Sequence, residues 1–261
     1  MNTVRSGWRR GQPVMWGVAG LCLVVAGWSA VVAAGVVPAS GLPSPLAVSQ
    51  ALWGLLNDAD FVREYVDTLS TWAVSLGLAA VISVPVGLLI GYFKPLAQAS
   101  ALVIDIGRAL PVVTLIPAAI VVIGLGPQMK ISVVAFSVFW IILVNTMYGV
   151  RSVEPLTLKV ARALHFGRLE TIRRVLLPAT LPYVVTGIRV ATGIAFVVTL
   201  SAELLGATSG VGTVLVSYQE AQRVDSVYAG VLAVSITGMV LNISAQLVER
   251  RVIRWRPSRQ E

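Results

Sequence analysis

Residues 151–178 read RSVEPLTLKVARALHFGRLETIRRVLLP and lie between two long apolar runs, at 131–150 and 179–206. The stretch holds six Arg and Lys residues, whereas the run before it holds no charge at all. Leu156, Val160 and Leu164 recur at intervals of four, and Leu169, Ile172 and Leu176 make a second apolar stripe. Both spacings predict short amphipathic helices. Arg168, Arg173 and Arg174 fall off the second stripe, toward water or a partner. With His165-Phe166-Gly167 as the joint, the segment reads as a compact helical knob beneath a membrane, a lever for another protein to grip.

Working outward, further apolar runs at 14–37, 68–93, 98–124 and 227–248 bring the total to six. Each approaches or exceeds the roughly 20 residues that a helix needs to cross a hydrocarbon core. Composition agrees. Apolar residues make up 56% and charged residues 12% of the 261, against roughly 25% charged in ordinary globular chains. Mean hydropathy is +0.83. Lipid must solvate much of such a surface. The expected domains are a cytoplasmic N-terminal tail at 1–13, a membrane domain at 14–248, and a basic cytoplasmic tail at 249–261.

The distribution of positive charge orients the chain. With both termini cytoplasmic, fifteen of the twenty Lys and Arg residues fall inside and only Arg63, Lys130 and Arg223 fall outside. Arg108 and Arg189 lie within spans, and Asp58, Asp60, Glu64 and Asp67 lie on the outer side. The pI near 10.2 therefore reflects topology, and no nucleic-acid partner is expected, because that needs an exposed basic soluble face. The first run also fits a signal peptide after its basic start, but its apolar core is long for one. Between the first two spans, Leu42-Pro43-Ser44-Pro45 opens an amphipathic segment with Ser44 as cap. Leu52, Leu55 and Leu56 would lay it on the outer membrane surface.

Candidate functional residues are few. Cys22 stands alone inside an apolar run and reads as a packing residue. The single His165 reads as a turn residue rather than a metal or acid–base group, and no metal site is expected. Glu203, near the outer end of the fifth run and before a Gly-rich stretch at 209–212, leaves two readings open. It lines a dimer interface as part of an outer gate, or it is a structural partner of an outer Arg or of backbone amides. Arg108 is either neutralised by Asp105, three residues before it, or lines a pathway where it attracts an anion. Arg189 reads as an anchor snorkelling to the cytoplasmic surface. Pro111 and Pro117 free carbonyls in the third span and predict a kink. Lys94, Lys130 and Lys159 sit in no Gly-rich phosphate loop, so the chain is not expected to hydrolyse ATP. An ion-coupled secondary transporter is the rival reading, with only Asp105 and Glu203 as candidate coupling carboxylates and no visible repeat. An intramembrane hydrolase lacks a Ser–His or paired-Asp constellation within the spans.

The loop also resembles the cytoplasmic loop of ABC importer permeases of the binding-protein-dependent type. Their pattern runs Glu-Ala-Ala, three residues, Gly, nine residues, Ile, one residue, Leu-Pro. Aligned on Leu177-Pro178, the Ile falls on Val175, the Ala pair on Val160 and Ala161, the Glu on Lys159 and the Gly on His165. Lys159 thus reverses a charge, and His165 takes a turn position, which histidine tolerates better than most residues. Arg108-Ala109-Leu110-Pro111, Leu115-Ile116-Pro117, Thr186-Gly187-Ile188-Arg189, Ala202-Glu203-Leu204-Leu205-Gly206 and Ser209-Gly210-Val211-Gly212 resemble the nitrate, sulfonate and taurine branch, in order along the chain.

That resemblance implies an all-α membrane protein with the type I ABC importer permease fold, six transmembrane helices and a helical cytoplasmic coupling loop. It implies a homodimer with a second copy of the permease, two ABC ATP-binding subunits carrying ATP and Mg, and an extracytoplasmic substrate-binding protein. No cofactor is expected on this chain itself. The coupling residues would be Lys159, Val160, Ala161, Arg162, Ala163, Leu164, His165, Phe166, Gly167 and Arg168. Glu203, Arg108 and Pro111 would be gate or pathway candidates.

Overall fold

The computed structural model describes residues 8–38 and 41–253. Arg5, Arg254, Arg256 and Arg259 of the basic tails lie outside them, as do the side chains of Arg9, Arg10 and Arg162. Among the described residues every regular element is helical. In chain order these are α1 (Trp8–Ala33), α2 (Pro45–Leu56), α3 (Ala59–Tyr92), α4 (Lys94–Ala109) and α5 (Ile116–Ile123). There follow α6 (Pro127–Arg151), α7 (Pro155–Ala163), α8 (Arg168–Thr171), α9 (Leu177–Leu204), α10 (Val211–Glu220) and α11 (Val224–Val252). Five stretches are long and apolar enough to cross a membrane: Met15–Ala33, α3, α6, Arg168–Leu204 and α11. A sixth crossing arises when α4 and the segment Val112–Ile123, bent by 86°, are taken as one broken span.

The centre of the bundle is α6, packed against α3 on one side and α9 on the other. Its buried face, with Val134, Val138 and Ile142, meets Ala79 of α3 and Ala191, Ala195 and Ala202 of α9. Small residues set the approach, as expected where lipid removes the hydrophobic incentive and close contact must supply the attraction. A Cβ on Gly87 would lie 2.8 Å from the Thr146 Cβ, and one on Gly149 would lie 2.6 Å from the Thr180 Cγ2. Buried hydroxyls on these faces return to their own helices: Ser75 donates to the Thr71 carbonyl at 2.6 Å, and Thr199 to the Ala195 carbonyl at 2.8 Å.

Three expected elements differ in form. The third span is broken rather than kinked. Leu110 is extended (φ −66°, ψ 122°), the conformation that a following proline imposes. Pro117 then sits in the first turn of α5, where its missing N–H is harmless. The amphipathic α2 has the Ser44 cap, accepting from the Ala47 N–H at 3.2 Å. It does not simply lie on the membrane: Val48 and Leu55 are buried with Ala229 and Ala233 of α11, while Trp53 and Leu56 stay exposed.

The loop is also not a two-helix knob. Its second helix, α8, runs without a break into α9 as one rod, Arg168–Leu204, through a π-turn at Ile172–Leu176. There the Leu177 N–H reaches the Ile172 carbonyl, five residues back. Pro178 explains the widening, because it has no N–H to give and its ring crowds the carbonyl four residues earlier. At the other end of the chain, Glu249, Arg250 and Arg251 belong to the last turn of α11.

Candidate functional site: coupling surface, buried ion cluster and Arg108 groove

The segment expected to couple lies between α6 and the rod. Leu156, Val160 and Leu164 are exposed, an apolar stripe uncovered among the described residues, and Lys159 stands exposed beside it. Ala161 is buried, fixing α7 against the π-turn. His165 has φ 58° and makes the turn in the left-handed region. Gly167 has φ −64° and simply precedes α8. Ala163 and Arg168 are exposed, and Phe166 is half-buried under the Arg174 guanidinium, 5.6 Å from its ring centroid. Arg174 also pairs with Glu170 at 3.2 Å. The segment therefore offers one rigid short helix with an apolar face and a basic margin, anchored to the start of a span.

At the opposite end of the rod lies a buried ion cluster. Glu203 is 1% exposed and Lys130 is fully buried. The Lys130 Nζ lies 3.4 Å from Glu203 and 2.6 Å from Asp67, and donates to the Ser209 carbonyl at 3.0 Å. Thr68 donates to Glu203 at 3.0 Å while accepting from the Val211 N–H at 2.8 Å. The Gly212 N–H donates to Glu203 at 3.0 Å, and the Gly210 N–H to Glu64 at 2.6 Å. One lysine thus ties α3, α9 and the turn before α10 to the first turn of α6. Gly210, at φ 109°, is needed twice over, since a Cβ there would also run into the Glu203 carboxylate. The Glu203 carboxylate is buried, held by Lys130, the Thr68 hydroxyl and the Gly212 backbone amide.

Two other expectations are corrected. Lys130 was expected in an outer loop and is instead interior, because the 205–210 turn folds over the start of α6. Arg189 does not reach freely for the membrane surface: it pairs with Glu249 of α11 at 2.8 Å, and Thr186 donates to the same carboxylate at 2.7 Å.

Arg108 is exposed near the end of α4, and among the described residues it forms no ion pair with Asp105. On one side it lines a cavity of about 210 Å³ with Asp105, Tyr148 and Arg151. On the other it lines a groove of about 300 Å³ with Gly107, Ser137, Trp140 and Asn145. Pro111, also exposed, begins the turn that ends this groove.

Residues 83–254 match the family described as the inner membrane component of binding-protein-dependent transport systems. The chain belongs to this family. As a member it is a multi-pass inner-membrane permease component of an ABC transporter. The permease is 28% identical over 254 residues to the putative aliphatic sulfonates transport permease protein SsuC of Bacillus subtilis (strain 168), covering 97% of this chain and 90% of that one. It is 24% identical to the taurine transport system permease protein TauC of Escherichia coli (strain K12), with 95% and 92% covered. To the nitrate import permease protein NrtB of Leptolyngbya laminosa it is 27% identical, with 80% and 78% covered. Among solved structures, a chain of a bacterial ABC transporter involved in the import of alginate superposes with a TM-score of 0.67 at 15% identity. That match covers 94% of this chain and 99% of the other, and it establishes the shared fold alone.

Sequence reasoning missed Lys130 as a site residue of the permease. The one available signal was its position three residues after Pro127, inside the first turn of a helix rather than in a loop.

Proposed function

We propose that this permease is the membrane subunit of an ATP-driven importer for a small anion of the sulfonate, taurine or nitrate class. Two copies enclose the route between them, with both termini in the cytoplasm. Two ATP-binding subunits, carrying ATP and Mg, each grip one α7. An extracytoplasmic binding protein delivers substrate at the end where the Lys130 cluster lies. The reading of the substrate class rests on the names of relatives aligned over most of the chain.

The observation that carries the coupling role is the uncovered stripe of Leu156, Val160 and Leu164, on a helix rooted by buried Ala161 against the π-turn of a membrane rod. Exposed leucines on a short helix outside the spans need a partner surface. A push on that helix reaches the rod Arg168–Leu204 directly, and through Glu203 it reaches Lys130 and α3. Of the two carboxylates available to an ion-coupled carrier, Glu203 is already held by Lys130.

The test is to co-express the permease with its candidate ATP-binding subunits and measure hydrolysis with and without a loaded binding protein. A two-plus-two complex whose hydrolysis rises with a taurine- or nitrate-loaded binding protein supports the reading. A chain that binds no ATPase and moves solute down an ion gradient overturns it.

A further inference from the structure

Arg108 stands at an unusual depth for a charge. Gly107 beside it packs on the Trp140 ring so closely that a Cβ there would collide with it. Trp140 is near the middle of α6 (Pro127–Arg151), a helix long enough to cross the membrane. The backbone at Arg108 therefore lies level with the middle of α6, and its side chain is exposed and without an ion pair among the described residues. A lone cation at that depth is tolerated when it faces a wet cavity or a ligand, and is costly against lipid.

The groove next to it has the chemistry of an anion site. No carboxylate lines it. Trp140 lines it, and among the described residues its buried indole N–H has no acceptor. Such an orphan donor costs free energy unless something accepts from it. The Ser137 hydroxyl adds a further donor to the lining, and Leu110, Val112 and Val144 supply apolar wall. The adjoining cavity sets two guanidiniums, Arg108 and Arg151, against the single carboxylate of Asp105. Both sides of Arg108 are therefore short of negative charge. A volume of about 300 Å³ is at the lower end of what small-molecule sites occupy, and a guanidinium pairs two oxygens of an oxyanion at once.

We propose that Arg108 and the groove against α6 form an anion-binding station on the transport route, taking a small oxyanion such as a sulfonate or nitrate. The station rests on the importer reading for its place on a route, but not for its affinity for anions. Arg108 makes the electrostatic contact, and Val144, Val112 and Leu110 accept a short apolar tail.

The test uses thiol chemistry in the assembled transporter, with Cys22→Ser to remove the one native cysteine and Asn145→Cys to report from the groove. The probes are the anionic 2-sulfonatoethyl methanethiosulfonate and its cationic trimethylammonium counterpart. Relative to their rates with a free thiol in solution, the anionic reagent reacts faster than the cationic one, and Arg108→Gln collapses that rate ratio by about fivefold to tenfold, as loss of a unit charge a few ångströms away requires. Arg108→Lys keeps most of the ratio. Free methanesulfonate slows labelling only when Arg108 is present. Val144→Cys serves as reporter if Asn145→Cys does not assemble. Equal relative rates for the two reagents, a ratio indifferent to Arg108, or no labelling by either would each overturn the station. A flat ratio in a complex that retains its ATPase sinks the station and leaves the importer reading standing. An Arg108-dependent ratio in a chain that binds no ATPase does the reverse.

Discussion

Lys130 is the cation that holds the buried cluster of Glu203 and Asp67 together. Removing one member of a buried ion pair strands the other, at a cost of about 3–5 kcal/mol. Lys130→Met would leave Glu203 and Asp67 without their cation, so its melting temperature in detergent should fall well below that of the parent. Lys130→Met with Glu203→Gln should lose clearly less than the two single losses combined, because the groups share one network. Additive losses would mean that the pair is not coupled. His165 offers a second check. At φ 58° a side chain pays roughly 1–2 kcal/mol that glycine avoids. His165→Gly should therefore hold or raise stability, and the β-branched His165→Val should lower it, as read by thermal melting. The role of His165 was legible because one loop position decides its backbone. Lys130 was opaque because its burial depends on the distant turn at 205–210 closing over it, and no local period carries that information.

At the scale of elements, the apolar runs announced the helices, since a crossing helix must be continuously apolar whatever it packs against. What the runs could not announce was continuity. The 28 residues at 151–178 contain two amphipathic stripes, and periodicity is the same whether the second stripe ends in a loop or continues into a span. Pro178 looks like a stop signal, yet the π-turn absorbs it. Likewise Pro111 looked like a kink and is a break of 86°, because the bend depends on the groove that α4 and α5 find against α6. The same geometry makes α7 separable from folding. Replacing Leu156, Val160 and Leu164 together by Ser alters exposed positions, where substitutions usually change stability by about 0.5 kcal/mol or less each. The triple variant should keep the parent's melting behaviour while losing most ATPase subunit on co-purification. A variant that still retains the ATPase would remove α7 from the interface, and one that fails to fold would mean the stripe packs within the chain.

At the scale of the whole molecule, two ends of one rod carry opposite chemistry. Arg168–Leu204 begins in a basic segment, with Arg168, Arg173 and Arg174, and ends on Glu203 in a cluster that also holds Glu64 and Asp67. Basic residues stay on the cytoplasmic side, so the rod carries its own orientation. The surfaces to compare are His165, exposed at the coupling end, and Gln222, exposed in the turn between α10 and α11. In a Cys22→Ser background, Gln222→Cys should react with a membrane-impermeant thiol reagent added to intact cells. His165→Cys should react only after the membrane is opened. The converse pattern would invert the molecule. Coupling through α7 to a cytoplasmic ATPase would then be impossible, whatever the fold.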